Sequence, residues 1–129
     1  MLCRGQEKDL YSGELREILQ DVLEEALKNG CQPGTRRYDV LRDIHESNPY
    51  EHMREKRREA LKKVMKGYKV LTPEIKRVLG EMGITVTGEG KHYRLTYYGD
   101  ERYKDTMSKT GSDSREGLNK VQQIVSKMM

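Results

Sequence analysis

Apolar positions along the chain repeat first with helical and then with strand spacing. Leu15, Ile18, Leu19, Val22, Leu23, Ala26 and Leu27 recur at i, i+3, i+4 and i+7, which predicts an amphipathic helix with that stripe toward a core. Ser12 is its expected N-cap, and Asn29-Gly30 its expected end. Thr35 is placed to cap a second helix with Tyr38, Leu41, Ile44 and His45 on one face. That helix should stop before Asn48-Pro49, because a residue preceding proline is pushed out of the helical region. The same dipeptide is expected to open a third helix, with Asn48 as N-cap and Pro49 at N1, running to Lys66.

Beyond Gly67 the period changes. Thr72-Pro73-Glu74 predicts a helix start, Ile75, Val78, Leu79 and Met82 an apolar stripe, and Gly83 its end. Three alternating runs follow: Ile84 to Thr87, His92 to Tyr98, and the residues after Gly99-Asp100. Gly88-Glu89-Gly90 and Gly99-Asp100 are the turns expected between them. Alternation places Ile84, Val86, Tyr93, Leu95, Tyr97, Tyr103 and Met107 inward, with Thr85, Thr87, His92, Arg94, Thr96, Tyr98, Arg102, Lys104 and Thr106 on a polar, mostly cationic outer face. Asp105 falls among the inward set, a position best tolerated on an edge strand. Ser112, Asp113 or Ser114 can cap a last helix whose stripe is Leu118, Val121, Ile124, Val125 and Met128. The fold class expected is α+β: a helical unit of three helices over residues 1–66, then an α-β-β-β-α domain over residues 67–129 with a three-stranded antiparallel sheet.

Composition narrows this picture. Charged residues make up 36% of the 129-residue chain against 34% hydrophobic, with no Trp or Phe, so the core must be thin and built from Leu, Ile, Val, Met and Tyr. The net charge is +4, and residues 67–129 hold 11 Lys and Arg against 8 Asp and Glu, so most of the excess lies with the sheet. The third helix is rich in Arg and Lys, but Glu51, Glu55 and Glu59 are interleaved, so pairs such as Glu59/Lys63 favour a solvated face over a nucleic-acid surface. Cys3 and Cys31 lie far apart, outside any CxxC spacing and away from a His cluster, which argues against a zinc site and suits a reducing cytoplasm. With no apolar run of signal or membrane-spanning length, a cytoplasmic protein without membrane attachment, metal or cofactor is expected.

The order of elements after Thr72, a Gly-rich turn followed by His, and a Lys/Ser-rich loop before the last helix resemble the double-stranded RNA-binding domain over about the last half of the chain. The resemblance implies RNA contact by the hairpin Gly90-Lys91-His92 and by the start of the last helix, Ser114 to Asn119. That helix start carries Arg115, Glu116 and Asn119 where the family has several lysines, which leaves Lys109, Arg115 and Lys120 as the cationic cluster. Gly90-Lys91-His92 also looks like the Gly-x-His motif of HicA-type RNA-cleaving toxins, which implies His92 as a general acid or base in metal-independent RNA cleavage.

Lys91, His92, Arg94, Tyr98, Lys104, Lys109, Thr110, Ser112, Arg115 and Lys120 are therefore the candidate nucleic-acid-binding residues. Tyr98 enters as an exposed stacking platform, and Lys109, Thr110, Ser112 and Arg115 as an anion site at a helix N-terminus. The function expected is binding of nucleic acid, RNA before DNA. Its alternatives are a protein-binding inhibitor or accessory factor of phage or mobile-element type, such as an inhibitor of a host defence nuclease, and a HicA-like endoribonuclease.

Overall fold

A computed structural model describes residues 2–110 and 115–129, which form an α+β protein with a single antiparallel sheet. The helices are α1 (Glu14–Glu25), α2 (Arg36–Glu46), α3 (Met53–Met65), α4 (Pro73–Glu81) and α5 (Glu116–Met128), and the strands β1 (Ile84–Glu89), β2 (His92–Tyr97) and β3 (Asp100–Ser108). A π-helical turn, Ala26–Gly30, continues α1, so four helical segments precede residue 67 where three were expected. The chain divides into two compact units, residues 1–53 and 54–129. The boundary falls at residue 53 and not at residue 66, because Arg57, Leu61 and Met65 of α3 are buried in the unit that holds the sheet.

In the first unit α1 turns its polar side inward. Glu17 and Gln20 are 3% and 2% exposed, whereas Leu19 and Val22 of the predicted core stripe are 64% and 61% exposed. No apolar side chain among described residues 2–53 is buried. The reason lies in the segment between α2 and α3, whose backbone groups need partners that no helix or strand supplies. Glu17 accepts hydrogen bonds from the Glu51 and Met53 N–H groups at 3.0 and 2.9 Å. The Gln20 amide donates to the carbonyls of His45 and Asn48 at 3.1 and 2.8 Å, and its Oε1 lies 2.7 Å from His45 Nδ1. With its nitrogen donating, Gln20 uses its oxygen as acceptor, so His45 Nδ1–H is the donor of that bond.

The same segment delays the third helix. Asn48 does not cap it; the Asn48 amide donates back to the Ile44 carbonyl at 2.8 Å and closes α2. Tyr50 donates to Asp21, and His52, at a φ of 54°, stacks on Tyr50 with ring centroids 3.9 Å apart. Helix α3 begins only at Met53. Ser12 is likewise displaced as a cap: Gly13, at a φ of 84°, occupies that position, and Asp9 and Glu14 accept from the Leu15 and Leu10 N–H groups. The Thr35 and Thr72 caps form as predicted, with Tyr38 and Ile75 N–H as donors.

The second unit carries the apolar core. Leu61 and Met65 of α3, Ile75, Val78 and Leu79 of α4, Ile84, Leu95, Tyr97 and Met107 of the sheet, and Val121, Ile124, Val125 and Met128 of α5 are all buried. The strand order is β1-β2-β3, with Val86 opposite Leu95 and Tyr93 opposite Met107. Both turns are displaced from their expected places. Glu89 pairs with His92, leaving Gly90-Lys91 as the first turn, and Tyr97 pairs with Asp100, leaving Tyr98-Gly99 as the second. Tyr98 and Gly99 have φ of 50° and 70°, the pair of positive values required by a two-residue turn that matches strand twist. A register shift between Thr96 and Tyr97 follows at the start of β3. As expected for an inward acid, Asp105 lies on an edge strand, and there Lys120 and Lys127 of α5 neutralise it at 3.3 and 3.5 Å.

Candidate nucleic-acid interface

The pairing of β2 with β3 places His92 opposite Ser108 at one end of the sheet. Lys91 and Lys109 flank that pair, and the Lys109 N–H donates to the Lys91 carbonyl at 3.2 Å. The Lys109 ammonium lies 5.4 Å from the centre of the Tyr93 ring, a cation–π distance. Ser108 turns its hydroxyl to the Thr110 carbonyl at 2.7 Å. Behind it, buried Tyr68 donates to the Ser108 carbonyl at 2.7 Å, and burial pushes the Tyr68 phenol above its ordinary pKa. Tyr68 lies between α3 and α4, far from Ser108 in the sequence, and only its aromatic character in a Phe-free chain could have marked it as an anchor.

Helix α5 supplies the other wall. His92, Thr106 and Ser108 share a depression of about 440 Å³ with Glu116, Asn119, Lys120 and Gln123. Apart from Glu116, Lys120 and His92, its lining among the described residues is neutral hydroxyl and amide, which can donate to or accept from sugars, bases and phosphate oxygens. Lys120 is not a free cation there, since it pairs with Asp105 and also donates to Gln123 at 2.6 Å. The side chain of His92 makes no hydrogen bond or ion pair to a described residue, and it is exposed.

The candidate residues thus separate into groups. Lys91, His92, Lys109 and Thr110 lie at one end of the sheet, and Lys120 shares the depression with His92. Arg115 immediately precedes α5, with no side-chain cap bond at that position. Ser112 lies outside the described residues, as do the cap candidates Asp113 and Ser114. Arg94 is engaged by Glu101, and Arg102 by Asp100 at 2.7 Å, so the expected cationic outer face is largely paired within itself. Arg102 holds the Asp100 carboxyl below the usual carboxylate range. Lys104 is exposed, opposite Thr96 toward the far end of β2.

Tyr98 has a different task from base stacking. Its hydroxyl accepts from Arg57 at 3.0 Å, its ring meets Tyr97 edge-on at 4.7 Å, and its N–H donates to the Gly83 carbonyl at 2.7 Å. A Cβ at Gly83 would lie 2.3 Å from the Tyr98 ring. The side chain is committed to the fold because the turn residue is folded back over the end of α4.

The unit boundary also redistributes the charge. Residues 1–53 carry 7 Lys and Arg against 11 Asp and Glu, a net of −4, while residues 54–129 carry 18 against 10, a net of +8. Cys3 and Cys31 are free thiols, and no group of three or more His, Cys, Asp or Glu among the described residues is placed to hold a metal. Among the described residues, no helix is long and apolar enough to cross a membrane. No family model, curated protein or solved structure matches this chain.

Proposed function

We propose that residues 54–129 bind nucleic acid, RNA in preference to DNA, through the end of the sheet formed by Lys91, His92, Lys109 and Thr110 and the facing start of α5. The observation that carries this is the depression shared by His92, Thr106 and Ser108 with Asn119, Lys120 and Gln123, with Lys91 and Lys109 flanking the His92/Ser108 pair. Hydroxyl and amide groups there suit a 2′-hydroxyl and sugar edge, and the flanking lysines suit phosphates. The net charge of +8 on this unit supports attraction of a polyanion. This is the surface that the resemblance to the double-stranded RNA-binding domain implies, and the two free thiols accord with a cytoplasmic setting.

The test is duplex-RNA binding by fluorescence anisotropy across a salt series. Affinity should fall steeply with salt, and replacing Lys91 and Lys109 with Ala should lower both affinity and the steepness of that fall, each lysine reducing the slope by about one unit. His92→Ala should weaken binding to RNA more than to DNA of the same sequence. Binding that is absent at low salt, or untouched by all three substitutions, overturns the proposal. RNA cleavage lost in His92→Ala with the fold retained would instead assign the HicA-like activity.

A further inference from the structure

Helices α3 and α5 leave a groove of about 600 Å³ between them, which shares only Asn119 with the described lining of the depression at the end of the sheet. One wall is Arg54, Arg58 and Lys62, a row at i, i+4 and i+8 along α3; the α5 side contributes Leu118, Val121 and Val125 together with the polar Asn119, Gln122 and Ser126. Val121 and Val125 are buried and form the floor, while Leu118, predicted to be core, is 43% exposed at the rim. Among the described residues, no acidic side chain lines the groove. Glu59 lies outside that lining and approaches Arg58 and Lys62 only at 4.0 and 3.7 Å, from an exposed position of its own.

We infer that this groove is a docking site for an acidic amphipathic helix of a partner protein. A helix laid in a groove contributes apolar side chains at i, i+3, i+4 and i+7 to the floor and its flanks to the rim. Arg54 and Lys62 are separated by about 12 Å along α3, so acids spaced one helical turn apart on the incoming helix meet successive cations. Leu118, Val121 and Val125 favour an amphipathic helix over RNA as the occupant, since aliphatic side chains give the apolar face of a helix a contact and a sugar-phosphate backbone none. The interleaved glutamates of α3, which made its sequence look like an ordinary solvated surface, leave the row facing α5 purely cationic.

The experiment uses the full chain and a fluorescein-labelled synthetic helix with Leu at i, i+3, i+4 and i+7 and Glu on both flanks. Micromolar binding that weakens with salt is expected, with Arg58→Glu lowering affinity tenfold or more and Leu118→Ser lowering it severalfold. Arg58 and Leu118 are both exposed, and Arg54→Glu serves as a second charge reversal; circular dichroism confirms that each variant is folded. The same peptide with Lys in place of Glu should bind at least tenfold more weakly. No binding of the acidic helix, or equal binding by the Arg58→Glu and Arg54→Glu variants, overturns the inference. So does loss of RNA binding in Arg58→Glu without peptide binding, which would make the groove an RNA surface. Failure of RNA to bind at Lys91 and Lys109 leaves the peptide result standing.

Discussion

Arg57 of α3 donates from Nη1 to the hydroxyl of Tyr97 of β2 at 2.8 Å, with both side chains buried. Its Nη2 reaches the neighbouring Tyr98 hydroxyl at 3.0 Å, so one guanidinium ties α3 to the last residue of β2 and to the turn that follows. Tyr97→Phe keeps the ring and leaves a buried donor without this acceptor. It should destabilise the second unit by about 1–3 kcal/mol in urea unfolding, and Tyr98→Phe, at a half-buried hydroxyl, by less.

Glycine substitutions should separate close approach from mere flexibility. A Cβ at Gly117 would lie 1.9 Å from the Met65 carbonyl oxygen, a backbone atom that cannot swing aside. Gly117→Ala should therefore force α5 away from the end of α3 and cost roughly 3 kcal/mol or more. Gly80, in α4 with open space around it, is the control: Gly80→Ala should raise the melting temperature, with a gain of up to about 1 kcal/mol. Thermal unfolding of the two variants in parallel checks both signs.

The inverted α1 predicts an unusual substitution pattern. Leu19→Gln and Val22→Gln, in the predicted core stripe, should alter the stability of residues 2–53 by no more than about 0.5 kcal/mol. Gln20→Ala, by contrast, strands the His45 and Asn48 carbonyls and should lower protection by about 1–3 kcal/mol. Hydrogen exchange of the α1 and α2 amides measures both effects in the full chain.

Tyr50 gives an alkaline pH dependence. Burial pushes its phenol well above the ordinary tyrosine value, helped by hydrogen bonds to Asp21 and then Glu24. A phenol whose folded pKa is raised contributes fully below the unfolded value of about 10, and the contribution is lost as pH climbs from there toward the folded value. Stability should thus fall above about pH 10. In Tyr50→Phe that fall should be shallower, with one fewer late-titrating phenolate in the ultraviolet absorbance at high pH.

The helices and strands were legible because their periods come from backbone geometry, which is local. Thr35 and Thr72 could be assigned as caps for the same reason, since a hydroxyl three residues from its N–H partner needs nothing distant. Asn48 could not, because its amide had a choice between opening one helix and closing the preceding one, and Glu17, 34 and 36 residues from its donors, had already taken the Glu51 and Met53 N–H groups. The candidate site was legible in part: Lys91, His92 and Lys109 are neighbours through a hairpin, whereas the link from His92 to Lys120 and the anchoring of Ser108 by Tyr68 are long-range.

By itself the sequence determined the α-β-β-β-α order, the alternation of the strands and an inward acid on an edge strand, all consequences of how side chains project from a regular backbone. Only the tertiary structure decided which face of α1 is covered, that Tyr98 serves the fold, and which cations remain available. Burial and pairing depend on what lies opposite a side chain, and here those partners are backbone groups and acids distant in sequence. For Lys120 the deciding partner is Asp105, for Arg94 it is Glu101, and for the polar face of α1 it is the backbone leading into α3, at the N–H groups of Glu51 and Met53.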